Sequence, residues 1–359
     1  MNRLEACNLC KTFPLKVDAL NDVSFTVPPG EFFSIVGPTN AGKSTLLKLI
    51  AGLHAPSSGR IVLDGVDVTA VEPRARGVSL LFQNVALFPT HSGYDNLAYP
   101  LRLGGWSENA VASRVSEVAA LVNVGHLLHR LPATYSGGEQ QRVAIGRALA
   151  CPTRLLMLDE PLTNLDARLR IALRFAFKAL HRESGQTILY ITHDQVEAMS
   201  LSDRILVLNR GRIEQIGTPD DVYHRPKTKF VGEFFGTPPM NLLEVALKKP
   251  DEPAEPGALS VSTLDLPKTG KNLSIGVRPE DVESSPVPSE SASLLGEVTW
   301  VERLGSHRVL HAVIGTQVFK VIVPPDHPVG RVGPAWFGFP TQARHWLDRD
   351  TGLFIRPGS

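Results

Sequence analysis

Apolar positions along the first 235 residues fall into two registers. Residues 32–36, 78–82, 155–158 and 187–191 are short, unbroken apolar runs. Such runs predict strands buried on both faces of a largely parallel sheet. Between them, residues 43–53, 108–122, 139–150 and 165–182 repeat apolar side chains at helical spacing, and the alternation predicts an α/β domain. From about Pro238 the pattern changes. Proline-rich pieces (KKPDEPAEPG, SSPVPSES) separate the alternating runs GEVTWVERLG, SHRVLHAVIG and TQVFKVIVPP. These read as a small antiparallel β-domain.

The first run breaks at Gly37 into GPTNAGKST, and a leucine-rich helical stretch follows. Gly37-x-x-x-x-Gly42-Lys43-Ser44 has the spacing of a phosphate-binding loop, with Pro38, Thr39, Asn40 and Ala41 inside it and Thr45 after it. A loop that wraps a polyphosphate turns its own N–H groups inward, and glycines leave that approach open. The following helix adds unpaired amides and the positive end of its dipole. Lys43 offers a point charge to the β- and γ-phosphates, and the Ser44 hydroxyl is placed to ligate Mg²⁺. No Gly-x-Gly-x-x-Gly follows the strand, which excludes a dinucleotide site. Nucleoside triphosphate binding is the expectation.

Two later stretches narrow the chemistry. RLLMLDEPLTNLD (154–166) is an apolar strand ending in Asp159-Glu160, so two carboxylates reach the edge of the sheet where ligands sit in open α/β folds. Asp159 is expected to hold Mg²⁺ through its water shell and Glu160 to polarise the attacking water. In YSGGEQQRVAIGRALA (135–150), Ser136-Gly137-Gly138 precede a helix, making a second helix N-terminus stripped of obstructing side chains. The same residues also suit a plain N-cap with two turn glycines.

Composition excludes more than it assigns. The chain of 359 residues has room for two domains, and its net charge of +1 gives no hint of nucleic acid or an anionic surface. MNRLEACNLCKTF lacks the apolar core of a signal peptide, and no run is long enough to span a bilayer. Three cysteines form no disulfide framework, and a reducing cytoplasm fits. Cys7-x-x-Cys10 lacks a second pair or nearby histidines, and strand alternation would turn the two thiols to opposite faces, so a structural or incidental role is expected.

Taken together, residues 1–235 resemble the ATP-binding cassette (ABC) transporter ATPases. GPTNAGKST is similar to their Walker A motif, LLMLDE to Walker B, YSGGE to the family signature and LTNLD, ending at Asp166, to the D-loop. Gln83 in LLFQN matches the Q-loop, His193 in ITHD the switch histidine, and Phe13 in KTF the aromatic residue that stacks on adenine. The resemblance implies a P-loop ABC ATPase domain, a mixed β-sheet core with a helical subdomain, over residues 1–236. A β-rich, oligonucleotide-binding-like regulatory and dimerisation domain is expected over 237–359. It implies ATP and Mg²⁺, with Ser44, Gln83 and Asp159 around the metal and Glu160, His193 and Gln83 catalytic. It also implies a head-to-tail homodimer in which Ser136, Gly137, Gly138 and Glu139 of one chain close over ATP on the other's loop.

The stretch 193–241 and the β-rich tail are similar to ATPase subunits of bacterial importers for sugars, sn-glycerol 3-phosphate and other polyols; related tails occur in sulfate, polyamine and iron importers. Two integral membrane permease subunits, an extracytoplasmic solute-binding protein and a place on the cytoplasmic face of the bacterial inner membrane are implied. Nucleic acid is not an expected partner. A soluble ABC protein of DNA repair or translation would carry two cassettes, coiled coils or basic extensions, which this sequence lacks. Asn40, Tyr135 and Glu139 depart from the family pattern, as do residues 90–93, in the segment that meets permease coupling helices.

Overall fold

The computed structural model describes residues 4–14, 17–84, 86–151, 153–163, 165–247, 259–261 and 272–355. The proline-rich stretch at 248–257 falls outside them. The chain divides into two compact units, Met1–Pro219 and Asp220–Ser359. The boundary anticipated at residue 236 comes after two short helices that this division gives to the second unit.

Among its described residues the first unit holds ten strands and six α-helices. In chain order they are β1 (Leu4–Phe13), β2 (Val17–Val27), β3 (Phe32–Val36), α1 (Lys43–Ile50), β4 (Ser58–Leu63), β5 (Val66–Asp67), β6 (Val78–Leu81), α2 (Gly93–Leu103), α3 (Glu108–Leu121) and α4 (Gly137–Ala150), followed by β7 (Leu155–Asp159), α5 (Ala167–Ser184), β8 (Thr187–Thr192), α6 (Gln195–Leu201), β9 (Arg204–Asn209) and β10 (Arg212–Gly217). A six-stranded sheet runs β10-β9-β3-β8-β7-β6, and β2-β1-β4-β5 form a separate antiparallel sheet. From β9 to β6 all pairings are parallel.

The unbroken apolar runs have a direct explanation. Phe32, Leu156, Leu158, Ile188 and Tyr190 pack into one core with α2, α3 and α4. Their neighbours Phe33, Ile35, Leu155, Met157, Leu189 and Ile191 pack into a second core with α1 and the antiparallel sheet. Side chains alternate across a strand, so a sheet with a core on each face needs apolar residues at every position. The antiparallel sheet was less visible in sequence. β1 has register shifts around Asn8, whose φ is 48°. That bulge interrupts the alternation assumed for Cys7 and Cys10; both are free thiols.

One buried cation holds the loop helix from behind. Arg76 donates to the carbonyls of Leu49 and Ile50 at the end of α1 and to Val71 and Thr69, at 2.8–3.0 Å. It satisfies terminal carbonyls and sits at the negative end of the α1 dipole. Gly52 makes room for it, since a Cβ there would meet Arg76 Nε at 2.5 Å.

The second unit contains α7 (Pro219–His224), α8 (Lys229–Phe234), β11 (Asn241–Leu247), β12 (Leu259–Val261), β13 (Leu273–Val277), β14 (Glu283–Ser285), β15 (Leu294–Arg303), β16 (Arg308–Ile314), β17 (Gln317–Val323), β18 (Gly333–Gly338), β19 (His345–Asp348) and β20 (Leu353–Ile355). Its strands form two five-stranded sheets, β12-β11-β13-β19-β20 and β14-β18-β15-β16-β17. The three runs predicted from alternation are the antiparallel neighbours β15, β16 and β17. Arg278, 1% exposed, donates to the carbonyls of Tyr223, Gly232 and Phe235. The start of the unit is thereby tied to its sheet. No helix among the described residues is long and apolar enough to cross a membrane.

Candidate functional site

A cleft of about 440 Å³ lies over the end of the parallel sheet, lined by residues 39–45 together with Gln83, Glu160, Thr163 and His193. Each wall comes from the end of a strand: the loop follows β3, Gln83 follows β6, Glu160 follows β7 and His193 follows β8.

The loop's backbone is as unusual as its sequence. A Cβ on Gly37 would lie 2.0 Å from the Leu208 carbonyl oxygen, and one on Gly42 would lie 2.5 Å from that of Ala19. Gly42 has φ 104° and Asn40 φ 66°. Asparagine tolerates this left-handed backbone better than most residues with a side chain. Gly42 caps α1 without a side-chain hydrogen bond, and the first turn carries no acidic residue. The amides at this helix end therefore face the cleft with no competing anion on the turn.

Lys43 is 6% exposed and donates to the carbonyls of Gly37 and Pro38 at 2.8 and 3.0 Å. Burial lowers its pKa, against the opposing pull of Glu160 and Asp159. Asp159 is 5% exposed, and the Ser44 hydroxyl is 3.4 Å from its Oδ1. Burial raises the Asp159 pKa and Glu160 adds to the rise; the Ser44 bond and Lys43 act against it. A hydroxyl beside a partly desolvated carboxylate is a hard-oxygen pair that suits Mg²⁺, which takes one or two protein oxygens and completes its shell with water and phosphate. Among the described residues there is no group of three or more His, Cys, Asp or Glu side chains able to hold a metal alone.

Glu160 is the hub of the opposite wall. Gln83 Nε2 donates to its Oε2 at 3.1 Å, His193 Nδ1 lies 3.1 Å from the same oxygen, and the Thr163 hydroxyl reaches it at 3.4 Å. Its backbone has φ 47°, and its N–H donates to the Ile191 carbonyl of the neighbouring strand at 2.9 Å. A carboxylate so held can accept a proton from water in the cleft. Thr163 was not singled out in the sequence; its position three residues after Glu160 in the LTNLD turn was the available signal.

Other anticipated residues lie elsewhere. Phe13 does not line the cleft; its half-buried ring meets His54 edge-on at 5.8 Å, with the Lys11 ammonium 5.1 Å away. Asp166 caps α5 by accepting from the Leu169 N–H at 2.9 Å. Ser136, Gly137, Gly138 and Glu139 also lie outside this cleft. Ser136 and Glu139 form a reciprocal capping box, with bonds of 2.8 and 3.3 Å. Thus Glu139 has a local role that the sequence left open. A Cβ on Gly137 would meet nothing within 4 Å and one on Gly138 only a Leu165 methyl at 3.7 Å, so packing within the chain does not account for either glycine. Tyr135 is 7% exposed, its hydroxyl 2.9 and 2.7 Å from the carbonyls of Leu127 and Arg130.

Known proteins resemble this chain in sequence and fold. A family model described as ABC transporter matches residues 20–163. The sn-glycerol-3-phosphate import ATP-binding protein UgpC of Jannaschia sp. (strain CCS1) is 40% identical over 348 residues, covering 95% of this chain and 96% of the relative. Its namesake in Pectobacterium atrosepticum is 38% identical over 346 residues, with 96% of each chain covered. Among solved structures, the dimeric post-hydrolysis state of the ATP-binding cassette MJ0796 bound to ADP and Pi covers 60% of this chain and 98% of its own, at 29% identity and a TM-score of 0.56.

Proposed function

The chain belongs to the ABC transporter family of ATP-binding proteins, and on that premise we propose that it is the ATP-hydrolysing subunit of a bacterial importer for sn-glycerol 3-phosphate or a closely related polyol phosphate. The observation that carries the ATPase reading is the cleft in which the glycine loop, the Ser44–Asp159 pair and the Glu160 hub converge. The solute class follows the two import proteins that align with nearly the whole chain.

In this reading the amides of residues 39–45 and the Lys43 ammonium bind the phosphates. Lys43 exchanges the carbonyls of Gly37 and Pro38 for phosphate oxygens. Ser44 and Asp159, with Gln83 at the edge, would hold Mg²⁺, which neutralises phosphate charge when bound. Glu160 orients water and takes its proton; His193 and Gln83 fix the carboxylate and reach toward the γ-phosphate side. Phe13 carries the adenine on its half-exposed ring.

Two chains pair head to tail, so that the Gly137-Gly138 start of α4 in one meets the phosphates held by the other. The lack of any packing reason for Gly137 and Gly138 within the chain supports this closure. Two permease subunits and a solute-binding protein complete the importer, with the ATPase peripheral on the cytoplasmic face of the membrane.

The test is ATP hydrolysis by the chain co-assembled with its permeases in vesicles, with the solute-binding protein added. sn-Glycerol 3-phosphate should stimulate turnover and maltose should not. Stimulation by maltose alone would reassign the solute.

A further inference from the structure

Arg170 lies in the first turn of α5, four residues after Asp166. Its guanidinium stands between two loops assigned different work. Nη2 donates to the carbonyl of Leu165, the residue before Asp166, at 3.3 Å. Nη1 is 3.6 Å from Asp194 Oδ2, and Nε is 3.9 Å from Glu197 Oε1. Asp194 directly follows His193, and its other carboxylate oxygen caps α6 through the N–H groups of Val196 and Glu197.

Glu197 is 3% exposed, and its Oε2 accepts from the hydroxyls of Tyr190 and Thr192, both at 2.8 Å. Thr192, directly before His193, in turn accepts from the Asp194 N–H at 3.0 Å. Both chain neighbours of His193 therefore belong to one hydrogen-bonded network. Arg170 joins that network to the Asp166 turn.

The join is drawn but not closed. Arg170 Nε is shielded from water and has no hydrogen-bond partner among the described residues, a condition that disfavours the arrangement as it stands. A movement of about 1 Å at the start of α5 would convert both long contacts into charge-assisted hydrogen bonds.

We propose that Arg170 is a positioning residue that couples the Asp166 turn to the His193 loop. When two chains close on ATP and the turn is pressed from the partner side, the guanidinium fork draws onto Asp194 and Glu197. The backbone on either side of His193 is then fixed for hydrolysis. The inference rests on the ATPase reading above and adds to it the route by which closure reaches His193.

The experiment compares steady-state ATP hydrolysis and thermal melting of the purified full-length chain, with Mg²⁺, across five proteins. These are the wild type, Arg170→Met, Arg170→Lys, Asp194→Asn and the Arg170→Met/Asp194→Asn pair. Asparagine at 194 keeps a capping oxygen while removing the charge. Arg170→Met should lower kcat about tenfold and leave KM for ATP within about twofold, the split expected of a group that acts through another. Arg170→Lys should recover part of kcat, since it keeps the charge but not the fork. The double variant should be no slower than the slower single one, because both changes remove the same contact.

An unchanged kcat, a loss confined to KM, losses that multiply in the double variant, or a loss matched by the fall in folded protein would each overturn the proposal. Glu160→Gln, run alongside, separates the two claims. If it is inactive while Arg170→Met is normal, only the coupling fails; if it too hydrolyses ATP normally, the ATPase assignment of the cleft fails.

Discussion

A Cβ on Gly93 would lie 2.7 Å from the Tyr135 hydroxyl and 2.6 Å from the Leu127 carbonyl oxygen to which that hydroxyl bonds. Two departures from the family pattern, a glycine at the start of α2 and a tyrosine before the signature serine, thus occupy one space. The Gly93 and Tyr94 N–H groups donate to Arg130 and Leu128 of the same short segment. Gly93→Ala should destabilise the chain by about 1–3 kcal/mol through overpacking. In a Tyr135→Phe background the Leu127 carbonyl is released to shift, so the two losses should be less than additive by about 1 kcal/mol. Urea melts of the four proteins give the coupling; strict additivity would mean the two sites adapt independently.

Glu160→Gln should preserve ATP affinity and reduce kcat by about 10²–10⁴-fold, since it removes the proton acceptor while keeping its shape. The ATP-bound protein should accumulate as a dimer in size-exclusion chromatography. Near-normal turnover would remove Glu160 from its assigned role.

Asp159 gives a pH dependence of defined sign. Its carboxyl is raised above the ordinary value, chiefly by burial, so the folded chain holds that proton more tightly than the unfolded one. The stability contribution is full below the ordinary carboxylate pKa and is lost as pH rises through the folded value. Asp159→Asn should therefore stabilise the nucleotide-free chain at neutral pH by about 1 kcal/mol, or 2–4 °C for a domain of this size. The same variant should lose the extra stabilisation that ATP and Mg²⁺ give the wild type. Calorimetry with and without nucleotide measures both, and a destabilised nucleotide-free variant contradicts the argument.

Lys43→Ala in one chain and Ser136→Arg in its partner test the composite site. If sites form across the dimer, both lesions fall in one site and the other is intact, so the mixed dimer should bind one ATP. Each homozygous variant should bind poorly or fail to close. A mixed dimer that retains no nucleotide would show that loop and signature act within one chain.

The parallel strands and the glycine loop were legible because their constraints are local. A strand covered on both faces must be apolar at every position, and a polyphosphate loop must be stripped of side chains. The antiparallel sheet was not legible, since the bulge at Asn8 breaks the period-two pattern. Helix α2 escaped notice because it begins at Gly93 and contains Pro100, residues that read as breakers. Gln83 and His193 were found only by resemblance, and their meeting on one oxygen of Glu160 is a property of strand order. Arg76 and Arg170 act mainly through backbone carbonyls or neighbouring carboxylates, contacts that leave no motif behind.

The left-handed backbone at Glu160 sets position 160 against itself. A residue with a long side chain disfavours φ 47°, by about 1 kcal/mol or more, where glycine or asparagine would sit at ease. The carboxylate, however, is what Gln83, His193 and Thr163 gather around. Under selection for folding alone, this position would drift toward glycine or asparagine and the hub would vanish without harm to the sheet. On the proposed ATPase reading, turnover is what a glutamate at this position serves. A directed-evolution campaign scored on heat resistance should lose activity first at this residue.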